Sequence, residues 1–284
     1  MSAMIIRVLS YKRRVSAVLA MLLLSGCTVS GGKPAAEELN LALAGMDGKD
    51  AVTFEGSAAL LIAGKPVPES ALYYGGKVQD HNRISLYSLL PDEAGEIRTA
   101  SEEGSMEKLG GSKASTPALY TKLEKKNGEW QPQQSGEAGR LAGLNPLQQL
   151  EELQKPDTQV TEESGSSGGT RVLRIRLSPD AAKRQLSEEL EREMQAIRQE
   201  SDAESAGQTA EVKEAMNALW TQKSKELEQR IDEAEVTSVY FMKVDTRHSL
   251  PKRLTWTRTI RYPGMRDPAA GEAYVTKVDF YGYQ

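Results

Sequence analysis

The feature that most constrains the fold is an alternation of apolar and polar side chains in residues 252–262. The polar positions are mainly threonines and arginines, and the apolar positions are Leu254, Trp256, Ile260 and Tyr262. A period of two gives a strand one apolar face and one solvated face, which is typical of an antiparallel sheet packed on one side. We therefore expect a sheet here, with neighbouring strands at residues 236–245 and 273–283.

Strand-like composition also occupies much of the first half of the chain. Turn residues separate its segments, among them the Asn127-Gly128 pair, which is a strong hairpin signal. Leu173, Ile175 and Leu177 alternate with arginines as regularly as the C-terminal segment does. The expected strands are residues 52–63, 70–79, 83–90, 119–125 and 171–177.

Helical signals come first at residues 36–45, which we expect to form a short helix, and then at Asn145. Asn145 is a suitable N-cap, and Pro146 suits the first position of a helix. Three leucines then share one face of this second helix. They are Leu147, Leu150 and Leu153.

The longest helical block is residues 179–234, with a break near residues 201–208. An apolar stripe begins at Leu186 in its first half, and Met216 and Trp220 belong to a second stripe. The order of elements predicts one α+β domain over residues 36–284. It is a curved antiparallel sheet with helices covering its concave face, and residues 179–234 are a long helical insertion.

The N-terminus has the organisation of an export signal, with basic residues before an apolar run from Val15 to Leu24. The run is well short of the roughly 20 apolar residues of a spanning helix. Cys27 is the single cysteine of the chain and follows the small residues Ser25 and Gly26. Leu24-Ser25-Gly26-Cys27 resembles the lipobox of bacterial lipoproteins, in which the cysteine is lipidated. The alternative is an ordinary signal peptide with a cysteine nearby by chance.

The lipobox implies that residues 1–26 are a lipoprotein signal peptide, with Cys27 lipidated and residues 27–35 forming a flexible tether. We then expect a protein anchored to the bacterial cell membrane and facing away from the cytoplasm. The signal carries four basic residues and no acidic ones, so its removal leaves 32 basic and 40 acidic side chains. Phosphates repel such an acidic body, and nucleic acid is therefore not an expected partner.

Sites of catalysis and metal binding are sparse in this sequence. One cysteine and two histidines leave little for a metal centre, and no cofactor is expected. Residues 105–108 have the S-x-x-K spacing of a serine nucleophile with a lysine base, but no K-T-G triplet accompanies them. His81 and His248 fit exposed loop positions. We therefore expect a protein that is not an enzyme.

The lipobox, the β-rich first half, the helix at Leu144 to Leu153 and the returning C-terminal sheet together resemble the LolA/LppX-like group of lipoproteins and lipoprotein carriers. The resemblance implies an open half-barrel lidded by helices, enclosing an apolar cavity that holds acyl chains or glycolipids. Some members of the group instead sense or bind proteins.

Two functional hypotheses follow. The first is a lipid or acyl-chain binder whose ligand lies between sheet and helices. Its ligand contacts would be Leu147, Leu150, Leu153, Met216, Trp220 and Trp256. The second is an interaction or sensor lipoprotein that contacts another envelope protein through the charged helical hairpin of residues 179–234. A filled core is an open alternative to a cavity, since apolar stripes pack cores more often than they line cavities.

Overall fold

The computed structural model describes residues 33–89, 119–133, 137–154, 157–163, 168–204, 207–264 and 271–284. The export signal, Cys27 and the Ser-Lys pair of residues 105–108 lie outside these ranges. Residues Ala35–Gln284 form one compact unit. In the described residues, no helix combines the length and the apolarity needed to cross a bilayer.

A single antiparallel sheet organises the compact unit. Its strands are β1 (Ala51–Ile62), β2 (Lys65–Pro66), β3 (Leu72–Gln79), β4 (Arg83–Leu89), β5 (Tyr120–Lys126), β6 (Glu129–Pro132), β7 (Thr158–Glu163), β8 (Thr170–Leu177), β9 (Glu235–Asp245), β10 (Leu250–Arg261) and β11 (Glu272–Tyr281). The strand order is β6-β5-β4-β3-β1-β11-β10-β9-β8-β7, and β2 pairs with β1. In the part of the chain that the structure describes, the end strands β6 and β7 do not pair, so the sheet is an open half-barrel.

Helices cover the concave face of this half-barrel. They are α1 (Ala35–Asp47), α2 (Pro146–Glu152), α3 (Pro179–Glu204) and α4 (Ala210–Glu233), with short 3-10 turns at Pro68–Ser70 and Glu137–Leu144. The predicted fold class, a curved antiparallel sheet with helices on its concave face, is confirmed. The helical block of residues 179–234 is a hairpin of α3 and α4.

The strand register aligns the core residues in rows across the concave, inner face. One row contains Tyr240, Trp256, Thr276 and Ala58, and the next contains Met242, Leu254, Val278, Gly56 and Tyr74. All of these except Gly56 are buried. The outer face of β10 carries Arg253 and three threonines, as the alternation predicts.

Local sequence signals explain where several elements begin and end. Asn145 Oδ1 accepts a hydrogen bond from the backbone N–H of Leu147 at 3.0 Å and caps α2, and Pro146 occupies its first position. Asn127 and Gly128 both have positive φ, 54° and 88°, as the turn between β5 and β6 requires.

Two features differ from the sequence predictions. Strand β7 was not expected, because its sequence Thr-Gln-Val-Thr-Glu-Glu has one large apolar residue; it forms because β8 offers an edge to pair with. The apolar stripe of α3 packs only near its start. Leu186 is buried, whereas Ile197 is 56% exposed, since the second half of α3 extends beyond the sheet.

Candidate functional site

A polar stripe of α3, rather than its apolar stripe alone, faces the inner side of the sheet. Gln185, Glu189 and Glu193 follow at intervals of four residues and so share one helix face. Gln185 Nε2 donates a hydrogen bond to the Tyr240 hydroxyl at 2.8 Å, and Arg258 Nη2 donates to Glu189 Oε2 at 2.6 Å. The α3–sheet interface therefore contains a layer of hydrogen bonds and charge.

Three aromatic rings on neighbouring strands form a wall beneath this stripe. Trp256 stacks on Tyr240 with 5.5 Å between ring centroids, and Tyr274 meets Trp256 edge-on at 5.8 Å. The Arg258 guanidinium lies 4.3 Å from the centroid of Trp256, a cation–π contact. Trp256 Nε1 donates to Ser238 Oγ at 2.6 Å. We call these residues of the sheet and α3 the inner polar layer: Gln185, Glu189, Ser238, Tyr240, Trp256, Arg258 and Tyr274.

Several buried polar atoms around this layer have no hydrogen-bond partner among the described residues. They include Arg258 Nε, Thr276 Oγ1 and the Tyr74 hydroxyl. Thr276 lies directly opposite Trp256 on β11, and the Tyr74 ring packs over Gly56 on the same inner face. A buried polar atom without a partner costs about 1–3 kcal/mol, so a cluster of them is unusual in a core.

Burial keeps the phenol groups of this region protonated. It raises the pKa of Tyr240 to about 12, and burial with the negative charge of Glu189 raises that of Tyr274 to about 12. Burial also raises the pKa of Tyr74. At neutral pH these hydroxyls are hydrogen-bond donors as well as acceptors.

Glu193 places a second carboxylate near the Arg258–Glu189 pair. Desolvation by neighbouring side chains raises the pKa of Glu193 above its usual range, Glu189 adds to the rise, and Arg258 and Arg192 oppose it. Its Oε1 atom also lies close to Gly143, 3.8 Å from the position a Cβ would take there. Glu193 is exposed to solvent, so the layer itself holds one buried guanidinium and one half-buried carboxylate, those of Arg258 and Glu189.

An open cleft of about 430 Å³ lies beyond the end of β10. It is lined by Arg230 and Glu233 at the end of α4, and by residues 262–264. The Arg230 guanidinium lies 4.8 Å from the centroid of the Tyr262 ring. Four residues along a strand span about 13 Å, so Tyr262 is roughly that far from Arg258 on the same alternating face. The cleft and the inner polar layer therefore lie in succession along β10.

The structure separates the residues predicted as ligand contacts into two groups. Leu150, Leu153 and Trp256 are buried in the core that joins sheet and helices, and Leu147 is half-buried against that core. Their role in binding a ligand stays a prediction.

Met216 and Trp220 lie on α4, half-buried and outside the inner polar layer. The Arg198 guanidinium meets Asn217 Oδ1 at 3.5 Å, which places this part of α4 beside the second half of α3. Arg198 is nine residues past Glu189, about 13 Å along the helix. The structure thus does not bring Met216 and Trp220 together with Trp256.

Sequence reasoning missed the charged and hydroxyl-bearing members of the layer. The alternation that assigned Trp256 and Ile260 to the inner face also assigns Arg258 there, but a charged residue is expected on the solvated face. The spacing of Gln185, Glu189 and Glu193 was a second signal, although acidic residues at such spacing are common on solvated helices.

The two histidines lie apart from the inner polar layer, in turns of the chain. His81 is 2.8 Å from Asp50 and His248 is 3.3 Å from Asp245, both in exposed turns as expected. Within the described ranges, no group of three or more His, Cys, Asp or Glu side chains is arranged to hold a metal ion.

Comparisons with known proteins find likeness only among solved structures. No family model matches the chain, and no curated protein sequence matches it. The lipoprotein LppX of Mycobacterium tuberculosis is 8% identical with a TM-score of 0.33, over 87% of this chain and 93% of that one. LprF of Mycobacterium bovis is 8% identical with a TM-score of 0.30, over 89% and 95% of the two chains.

A LolA superfamily protein of Nitrosomonas europaea is 9% identical with a TM-score of 0.23, over 89% of this chain and 94% of that one. Two of these names, LppX and LolA, are those of the group expected from the sequence.

Proposed function

We propose that this protein is a membrane-anchored lipoprotein, facing away from the cytoplasm, that binds a lipid or acyl chain between its sheet and its helices and catalyses no reaction. The observation that carries this proposal is the inner face of the half-barrel. There, an aromatic wall adjoins buried polar atoms that have no partner in the described chain.

An amphipathic ligand satisfies both parts of such a surface. Its hydrocarbon chain would pack on Tyr240, Trp256 and Tyr274, because apolar area removed from water contributes about 25 cal/mol per Å². Its polar group would pair with hydroxyl groups such as those of Thr276 and Tyr74. Ligand sites in proteins have this composition, mainly apolar walls with a few polar groups.

The anchor rests on the sequence of residues 24–27 and on the export signal before it. A diacylglyceryl group on Cys27 would supply two acyl chains, which is enough for stable anchoring. Mass spectrometry of the N-terminal peptide of the protein from its membranes tests this: we expect a modified Cys27 at the new N-terminus. An unmodified chain that begins elsewhere would contradict the anchor.

A matched pair of substitutions on β1 tests the lipid site. Leu60 is half-buried on the inner face, in register with Tyr274, whereas Leu61 is half-buried on the outer face. Leu60→Trp adds a large ring inside the half-barrel, and Leu61→Trp adds the same ring outside it. We would purify the full chain and both variants from membranes, extract non-covalent lipid with organic solvent, and count lipid per protein.

The proposal expects about one extractable lipid in the parent and in Leu61→Trp, and a loss of most of it in Leu60→Trp. Circular dichroism of both variants shows whether they remain folded. A parent protein without stoichiometric lipid would overturn the proposal, and so would a folded Leu60→Trp variant with undiminished lipid.

A second candidate function is favoured by the outer half of the α3–α4 hairpin. Three of its large apolar side chains are substantially exposed: Ile197, Val212 and Leu219. Such residues on a protruding hairpin fit contact with another envelope protein. A photo-crosslinking residue at Leu219 should then trap one defined protein in living cells, and one at the exposed polar Gln222 should trap less. Equal, diffuse crosslinking from both positions would contradict this candidate.

A further inference from the structure

We propose that the outer face of strands β8 to β11 is a cationic surface that docks the protein onto the anionic phospholipid headgroups of the membrane in which its anchor is embedded. This inference rests on the proposed anchor and not on the proposed lipid site, which lies on the opposite side of the sheet. It follows from the charge of the four strands, from the side chains that lie outward on them, and from the place where the tether joins the fold.

Charge is distributed unevenly between the two sides of the sheet. Strands β8 to β11 carry nine basic and four acidic side chains, although the chain as a whole is acidic. The hairpin of residues 179–234, which packs on the inner face, carries eight basic and fourteen acidic side chains. The outer side of these strands is therefore positive, and the helical side is negative.

The outward basic side chains of these strands form a compact group. Arg174 and Lys277 belong to one row across the sheet, with Phe241 between them, and Lys243 lies directly opposite Arg253 in the adjoining row. Neighbouring strands are about 4.8 Å apart, so these charges, with that of Arg176, lie within an area about 15 Å across. We call these residues the outer cationic face: Arg174, Arg176, Lys243, Arg253 and Lys277.

Two of these cations have no carboxylate partner among the described residues. Arg176 and Lys243 are both exposed, and neither forms an ion pair within the described ranges. The other three cations are paired with only two carboxylates, those of Glu163 and Asp279. The face thus keeps a net positive charge, which an anionic surface complements.

The tether joins the fold beside this face. Helix α1 begins at Ala35, and its Glu38 carboxylate lies 3.4 Å from the Arg171 guanidinium on β8. Arg174 follows three residues later on the same strand, about 10 Å away. The chain from Cys27 to Ala35 spans at most about 29 Å. A lipidated Cys27 would therefore keep the outer cationic face within reach of the headgroups.

The acidic hairpin does not prevent this docking. The Debye length at physiological ionic strength is about 8 Å, whereas a helix with its side chains is about 10 Å or more in diameter. Acidic side chains on the solvated side of the hairpin are thus screened from a bilayer on the other side of the sheet. Near an anionic bilayer each Lys or Arg strengthens binding about fivefold, so a few cations are enough to orient a protein that is already anchored.

The test measures how close the face lies to the headgroups in the anchored protein. Thr161 is an exposed residue of β7 in register with Arg174, so Thr161→Cys introduces a thiol beside the face. A fluorescent maleimide labels this thiol, since a lipidated Cys27 does not react with it. The full-chain variant is purified from membranes and reconstituted into liposomes of dioleoylphosphatidylcholine, or of its equal mixture with dioleoylphosphatidylglycerol. A trace lipid with a nitroxide on its headgroup quenches a nearby label.

Quenching should be about threefold stronger in the anionic liposomes, and high salt should remove the difference, because salt screens attraction at a surface. Arg176→Glu combined with Lys243→Glu reverses the two unpaired charges of the face and should also remove the difference. Lys223→Glu combined with Lys225→Glu reverses two exposed charges of the hairpin and should retain it. Circular dichroism of both double variants shows whether they remain folded.

The possible results separate the docking surface from the anchor. Protein that floats with neither kind of liposome has no anchor, which overturns that part of the proposed function and this inference with it. Protein that floats with both kinds but is quenched equally in both overturns the docking surface and leaves the anchor intact. Equal loss of quenching in the two folded double variants also overturns it, since attraction would then follow net charge and not the outer cationic face.

Discussion

Arg258 is the residue whose position in the sheet has the largest energetic consequence. It lies in phase with Trp256 and Ile260 and therefore points to the inner face, where 3% of its surface is exposed. Glu189 on α3 compensates its charge. Removing one member of a buried ion pair leaves the other charged and unpaired, which costs more than the pair itself contributes.

Glu189→Gln should destabilise the protein by about 3 kcal/mol, because the Arg258 guanidinium loses its buried counter-charge. Denaturant unfolding followed by circular dichroism measures the change. Glu191→Gln, on the solvated side of α3, should change the free energy of unfolding by less than about 0.5 kcal/mol. Similar losses of stability in the two variants would show that the ion pair with Arg258 does not cause the destabilisation.

The carboxyl group of Asp245, at the turn between β9 and β10, should make the free energy of unfolding depend on pH. Burial opposes its ionisation, but the Arg247 N–H, His248 and Lys252 hold the carboxylate and lower its pKa from 3.8 to about 2. The carboxylate has a lower pKa in the folded protein than in the unfolded chain, so it stabilises the fold at pH values above the pKa of the unfolded chain. This stabilisation is lost as the pH falls through the pKa of the folded protein. The stability lost in Asp245→Asn should therefore shrink between about pH 5 and pH 2.

Urea unfolding of the parent and Asp245→Asn across that range checks the prediction. Asp232→Asn, at an exposed position near the end of α4, is the matched control and should show no such trend. A difference between parent and Asp245→Asn that is constant with pH would show that the carboxylate charge contributes nothing there.

At the scale of elements, most of the helices, strands and turns that the sequence predicts follow from local sequence signals, and few follow from contacts between distant residues. The Asn145 cap, the Asn127-Gly128 turn and the alternation of β8 and β10 appear in the structure where the sequence predicts them. Strand β7 was not predicted, because a single large apolar residue, Val160, gives it no apolar alternation; it joins the sheet by pairing with β8. The inner polar layer was missed for a related reason. A charged residue on an alternating strand can be buried only if a partner compensates its charge, and that partner can be far away in sequence. The partner of Arg258 is Glu189, 69 residues away.

The close packing of β1, β3 and β4 requires a glycine at position 76. A Cβ at this position would lie 2.4 Å from the Phe54 ring and 2.5 Å from the Ser85 carbonyl oxygen. Gly76→Ala should therefore destabilise the protein by about 2 kcal/mol or more, as overpacking does. Gly207→Ala meets no atom within 4 Å and is the control. Thermal unfolding of both variants measures the effect, and an unchanged Gly76→Ala would mean that β3 and β4 shift without cost.

At the scale of the whole molecule, the half-barrel and the outer part of the hairpin are energetically separable. Lys183 Nζ bonds the Asp232 carbonyl and Arg198 meets Asn217, so α3 and α4 run antiparallel in a fixed register. Beyond Glu191 the hairpin residues are mainly exposed. The sheet and the inner polar layer therefore need only the first part of α3 and the last part of α4.

Replacing residues 191–224 by a short Gly/Ser bridge should leave the free energy of unfolding within about 1 kcal/mol of the parent, since few buried apolar side chains are removed. Lipid content should stay unchanged, because Gln185 and Glu189 remain in place. If the hairpin contacts an envelope protein, the crosslink from its outer half disappears with it. An unfolded product in circular dichroism would show that the hairpin belongs to the core.

The two ends of the open sheet affect how copies of the protein behave when crowded. Free strand edges expose backbone hydrogen-bonding groups and invite pairing between molecules. Here β6 is four residues long and ends at Pro132, which has no N–H, while β7 carries Glu162 and Glu163, paired with Arg171 and Arg174 on β8. A short, proline-terminated edge and a charged edge both resist edge-to-edge growth. Molecules concentrated in two dimensions by an anchor would thus be protected against aggregation through their own sheets.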